Sequence, residues 1–232
     1  MAQPPHVENL ISNHVEVMRL AEIHATISGT RPGRRAKYDV EILNKSGIVL
    51  LVATWEAYIE DLAILAFAAI FAAATAYTVF PSKVLTLAAR ELRSSVDERR
   101  VWELAGTGWR TVLQDHRQAI IDRYVGTMNT PKPEQVDGLF SELIGLSALS
   151  SHWHWIKTNS DQARKRLTDL VALRGDIAHR VKTSRTVTKG EVLKAQDLTS
   201  RLAAVSSNQV RRYIYTLTNK YPWSEVRFEG TA

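Results

Sequence analysis

No cysteine occurs in the 232 residues. That excludes disulfides, thiolate nucleophiles and any zinc site built on cysteine, and it fits a reducing, cytoplasmic setting. The opening MAQPPHVENL has no basic stretch followed by an apolar run, so no secretory signal is expected. No repeat, low-complexity tract or long linker interrupts the chain. Charge is missing from the 19 residues between Leu62 and Phe80. That length touches the lower edge of a membrane span. The stretch is largely alanine, however; Glu56, Glu60 and Asp61 precede it and Pro81 closes it. It reads as a buried central helix or a subunit interface, and no membrane segment is expected.

Apolar residues make up 45% of the chain, an ordinary globular share. The length suits one domain with trimmings. The formal charge is +6 and it is unevenly placed. Residues 1–150 hold 15 Lys/Arg against 17 Asp/Glu, whereas residues 151–232 hold 15 against 7. A basic last third suits a polyanion such as RNA, or simply a solvated surface.

Apolar residues recur with helical spacing almost throughout, which predicts an all-α fold. A first helix is expected from about His6 to Ile27, closed by the breakers Ser28-Gly29 and Pro32-Gly33. The basic loop of Arg34, Arg35 and Lys37 follows. A second helix should start near Asp39 and pass Trp55, with a break inside the alanine-rich stretch. Ser82 is a candidate cap for a helix carrying Val84 to Val96. A turn at Gly106-Thr107-Gly108 precedes a helix from about Arg110 to Tyr124. Pro133 should open a short helix that Gly145 ends. A helix from about Ser160 to His179 comes next. The Thr-rich basic link at 181–190 has too little apolar pattern to seed a sheet. A last helix from about Leu193 to Asn219 is stopped by Pro222.

The segment Leu173-Arg174-Gly175-Asp176-Ile177-Ala178-His179-Arg180 offers chemistry. Five residues separate Arg174 from His179, about 140° around a continuous helix, so the two do not share a stripe. Arg174 lies on the stripe of Leu167, Leu170 and Val171, which should face inward, and an arginine there wants a carboxylate, a phosphate or a partner subunit. A histidine can take the proton of a ribose 2′-hydroxyl or return one to a leaving oxygen. An arginine can hold a phosphate through two parallel hydrogen bonds. Asp176 would orient the imidazole or pair with Arg174. Gly175 would loosen the helix or admit a neighbouring backbone. Arg180, Arg166 and Lys182 are candidate substrate-binding cations.

Glu56 and Glu60 stand one helical turn apart. They are expected to support Arg174 or the basic helix at Arg164, Lys165 and Arg166. His152 and His154 lack a third ligand, so no metal and no cofactor is expected. Trp55, Trp109, Trp153 and Trp155 read as packing residues. Arg201, Arg211 and Arg212 are further possible phosphate contacts.

The segment Arg174 to His179 resembles the Arg-x4-6-His motif of the HEPN superfamily of small helical domains. The chain as a whole resembles the RiboL-PSP-HEPN type. Three other segments carry that resemblance: Leu51 to Asp61 around Thr54-Trp55-Glu56, Gly108-Trp109-Arg110, and Asn129 to Pro133 with Leu139-Phe140 and Gly145-Leu146. The resemblance implies a HEPN-like helical bundle with additional helices. It divides the chain into an N-terminal helix and basic loop (1–35), a HEPN-like domain (36–220) and a tail (221–232). Active members are metal-independent endoribonucleases, often dimeric, of toxin–antitoxin or anti-phage systems. Carried over, this implies Arg174 and His179 as the catalytic pair and a polar helper near the arginine. Many members place that helper directly after the arginine; here Gly175 intervenes before Asp176. The residue after the histidine is often small, and here it is Arg180.

Three functions follow as expectations. The first is an RNase that leaves a 2′,3′-cyclic phosphate, acting as a homodimer on RNA, with an antitoxin or other defence protein as a further partner. The second is a non-catalytic interaction module or antitoxin-like partner, whose contact surface would be the Leu62–Phe80 stretch. The third is a simple nucleic-acid binder.

Overall fold

The computed structural model describes residues 4–28, 40–126, 128, 130–180 and 186–227. Within them the helices are α1 (Pro5–Ser28), α2 (Glu41–Ala73), α3 (Ser82–Ala88), α4 (Arg90–Ser94), α5 (Gly108–Asp115), α6 (Arg117–Tyr124), α7 (Pro133–Ile144), α8 (Ser160–Arg180) and α9 (Lys189–Thr218). Short 3-10 turns occupy Tyr77–Val79, Glu98–Leu104 and Leu149–His152. The described residues form no strand, only one isolated bridge between Trp155 and Thr158. The fold is the expected all-helical bundle.

α2 is the central helix because it is apolar nearly all round. Leu51, Val52, Trp55, Ile59, Leu62, Ala63, Ala66, Phe67 and Ile70 are fully buried along it. Helices α1, α7, α8 and α9 pack on its sides. The uncharged stretch therefore ends inside the molecule, and the break expected in it falls at Ala73. No described helix is long and apolar enough to cross a membrane.

Arg110 closes the far end of α2. Its guanidinium donates to the carbonyls of Phe71 (3.0 Å) and Ala74 and lies 4.7 Å from the ring centre of Trp109. A cation at a helix C-terminus satisfies orphan carbonyls and complements the helix dipole. Midway along α2, the Trp55 indole donates to the Pro131 carbonyl at 3.1 Å and meets Trp153 edge-on at 5.9 Å. Pro131 leads into α7, whose first residue is Pro133 and whose end is Gly145 at φ +85°. Tyr213 of α9 donates to the Ile144 carbonyl beside that glycine.

Several helix boundaries differ from expectation. Ser82 does not cap α3; Pro81 occupies the cap position and no side chain bonds there. The helix expected through Val96 turns at Ala89, and Val96 is exposed. The helix expected at 110–124 starts earlier and breaks at His116, whose ring nitrogen lies 2.9 Å from the Val112 carbonyl and so competes with the helical ladder. α9 starts at Lys189 rather than near Leu193, because Thr188 and Glu191 form a reciprocal capping box. Asn219, left-handed at φ +55°, ends it before Pro222 is reached.

α1 carries two buried histidines into the seam it shares with α9. His6 Nε2 lies 2.9 Å from the Ser207 hydroxyl, and its ring meets Trp223 edge-on at 5.0 Å. His14 has Thr199 and Ser200 hydroxyls at 3.2 Å, one on each ring nitrogen. Burial lowers both to a pKa of about 4. Asn208 of α9 fastens the C-terminal segment through two hydrogen bonds to the Val226 backbone.

Candidate functional site

α8 begins where Asn159 accepts the Gln162 amide at 2.9 Å while the Gln162 side chain accepts the Asn159 amide at 3.1 Å. That reciprocal pair satisfies two donors at the helix start. Ala163, Leu167, Leu170, Val171 and Ile177 are the buried stripe of the helix. Arg174 falls between Val171 and Ile177 on the same stripe and is half-buried, as its position in the periodicity predicts.

The charge of Arg174 is felt at Glu56 of α2. Burial raises the Glu56 carboxyl above its ordinary value, and the Arg174 charge pulls it partly back. Glu60, one turn further, is raised by burial and by the neighbouring carboxylates of Glu56 and Asp61. Glu56 thus offsets the cost of holding a guanidinium in a partly dry stripe. No hydrogen bond or ion pair within 4 Å commits Arg174 to another described residue.

His179 lies in the last turn of α8 and is exposed, as is Asp176. α8 is an unbroken helix through Gly175. His179 therefore sits about 140° around the axis and about 7.5 Å along it from Arg174. Asp176 stands three residues before His179, so those two are neighbours on the outer face. It stands about 200° from Arg174, and no Arg174–Asp176 ion pair forms.

Gly175 lies within the continuous α8, and among the described residues no neighbour comes within contact distance of where a side chain would stand. With the exposed Ala172, it leaves the outer face of α8 low beside His179.

The cations expected around the pair are spread out. Arg166 is tied back to the Thr158 hydroxyl at 3.3 Å, and it lines a groove with Trp155, Leu170 and Leu173. Lys165 pairs with Asp169 at 2.7 Å, and Arg164 approaches Glu134 at 3.6 Å. Lys182 and the Arg180 side chain lie outside the described residues. Of the last-helix arginines, Arg211 donates to the Trp223 carbonyl at 2.7 Å and Arg201 pairs with Asp197 at 2.9 Å.

Trp55 and Trp153 are fully buried and Trp109 nearly so, which makes them packing residues. His152 reaches Gln209 at 3.3 Å, and His154 is exposed. No group of three metal-ligating side chains converges among the described residues. Sequence reasoning missed a basic groove walled by α3, α4 and α6, because its cations come from separate short helices.

Compared with known proteins, residues 19–210 match the family model described as RiboL-PSP-HEPN. No curated protein and no solved structure matches the chain.

Proposed function

Because this chain belongs to the RiboL-PSP-HEPN family, we propose that it is a metal-independent endoribonuclease, acting as a toxin or anti-phage effector in the cytoplasm. His179 takes the ribose 2′-hydroxyl proton and returns one to the leaving 5′ oxygen. Arg174 holds the scissile phosphate and offsets charge in the transition state. Asp176 orients the imidazole, and Glu56, backed by Glu60, holds the guanidinium in place. Arg166, Arg180 and Lys182 guide the strand. Cleavage leaves a 2′,3′-cyclic phosphate and a 5′-hydroxyl.

The observation that carries this reading is Arg174 itself. It is half-buried in an apolar stripe, near one carboxylate, with its hydrogen-bonding capacity uncommitted to any described group. Such a donor set suits an incoming phosphate. One chain cannot bring Arg174 and His179 onto one face of a straight helix. The working unit is therefore a homodimer joined along α8, where Ala172 and Gly175 leave room, with each cleft shared between copies. We take residues 36–220 as the HEPN-like unit, residues 1–35 as an added helix and loop, and residues 221–232 as a tail. The interaction-module reading has less support, since Leu62, Ala63, Ala66, Phe67, Ile70, Ala74 and Phe80 of the Leu62–Phe80 stretch are buried within the chain.

The test is incubation of purified protein with RNA in EDTA, with product ends analysed. Cleavage to cyclic-phosphate ends is expected, with a loss of roughly 100-fold or more in His179→Ala and Arg174→Ala. No cleavage by the wild type, or equal cleavage by His179→Ala, refutes the reading.

A further inference from the structure

The first 150 residues carry slightly more acid than base, yet one groove there gathers cations. Its lining includes Lys83 and Ser82 of α3, Arg90 and Arg93 of α4, and Arg123 and Tyr124 of α6. Among the described residues, Glu142 of α7 is the one carboxylate in the lining, and it is engaged by Lys83 at 2.5 Å. The nearest acid on α4, Glu91, is drawn to His116 at 3.6 Å. Arg90 and Arg93 are exposed and form no ion pair among the described residues. Three residues apart, they project from one side of α4. The groove is an open surface depression of about 780 Å³.

The 3-10 turn Glu98–Leu104 packs on α4 and carries Trp102, 76% exposed. A tryptophan is seldom left so open without use. Two exposed arginines in the groove and an open indole on the turn packed against α4 are the two ingredients, phosphate contacts and a stacking platform, that hold a single strand without reading its sequence.

We propose that the α3–α4–α6 groove is a second binding site for phosphate groups, occupied by the backbone of single-stranded RNA with a base stacked on Trp102. The phosphate chemistry stands independently of the reaction assigned above; the strand as its source rests on that reading. The groove is built from helices other than α8, so it anchors the strand while α8 acts on it.

The experiment is fluorescence anisotropy with 5′-fluorescein-labelled U12 and full-length His179→Ala protein, which leaves the strand uncut. Arg90→Ala/Arg93→Ala should weaken binding about tenfold. It should also lower the log–log salt slope by about 1.4, the expectation for two lost phosphate contacts. Arg90→Lys/Arg93→Lys should recover the slope but only part of the affinity. Trp102→Ala should weaken binding about fivefold with an unchanged slope. Lys220→Ala/Arg227→Ala, which removes two exposed cations elsewhere, should stay within about twofold.

An unchanged affinity and slope in Arg90→Ala/Arg93→Ala overturns the proposal, and so does an equal loss in the Lys220/Arg227 control. Unchanged strand affinity with lost binding of inorganic phosphate or UMP overturns the strand as the source. Wild type that binds U12 through the groove but never cuts RNA upholds this site and refutes the reaction instead.

Discussion

Lowering the pH from 8 to 4 puts protons on two histidines that the fold holds neutral. His6 and His14 are both buried in the α1–α9 seam, and burial takes each from 6.5 to a pKa of about 4. In the unfolded chain they protonate near 6.5. Below that pH the unfolded state binds more protons, and stability is lost until the folded pKa is passed. Linkage gives a loss of about 2 kcal/mol per histidine at pH 5 and about 3 kcal/mol at pH 4. The pair together removes about 6 kcal/mol by pH 4, comparable with the whole stability of an ordinary domain, about 5–15 kcal/mol. Glu56 and Glu60 act in the opposite sense. Their raised folded pKa values mean that protonation relieves a penalty, so they cannot cause the fall. Urea titrations followed by circular dichroism from pH 8 to 4 should show a plateau above about pH 7.5 and a steepening decline below pH 6.5. His6→Gln/His14→Gln should start lower at pH 8 but decline far less. If wild type and double variant decline in parallel between pH 6.5 and 4.5, the histidines are not responsible and the argument fails.

Other consequences are simpler to state. Glu56→Gln removes the charge facing Arg174; RNA cleavage should fall roughly ten- to hundredfold while stability shifts by under about 1 kcal/mol, checked by kinetics and melting together. Gly145→Ala forces a side chain into φ +85°, with its Cβ 2.9 Å from the Tyr213 hydroxyl; a loss of about 2–3 kcal/mol is expected in urea titration, and adding Tyr213→Phe should recover only the steric part. Trp55→Phe strands the buried Pro131 carbonyl and should cost about 1–3 kcal/mol by the same measurement. Thr188→Ala removes a capping box and should cost about 1 kcal/mol.

Much of this architecture was legible before any coordinates, and the reasons are local. Pro133 and Gly145 mark the two ends of α7 because one residue fixes φ and the other tolerates a positive one. Arg174 falls on the buried stripe of α8 because the helical period puts it there. The start of α9 was equally readable in the Thr188-x-x-Glu191 spacing, but apolar periodicity alone placed it near Leu193. What resisted reading is tertiary. Nothing local brings Glu56 to Arg174, since they lie on helices far apart in the chain. The cations Lys83, Arg90, Arg93 and Arg123 form no motif, because α3, α4 and α6 assemble them only after folding. The breaks at Ala89 and His116 were hidden for a related reason: neither position carries glycine or proline, and a histidine ring bonded to its own helix leaves no compositional trace.

The continuity of α8 also bears on dose. A helix that runs unbroken through Gly175 fixes its arginine and histidine at a constant offset, like marks on a ruler. If each cleft takes one residue from each copy, activity below the dimer dissociation constant scales with the square of concentration, and above it linearly. A cell making such a protein at low copy number would carry it almost silently, and a modest rise in synthesis would switch it on out of proportion.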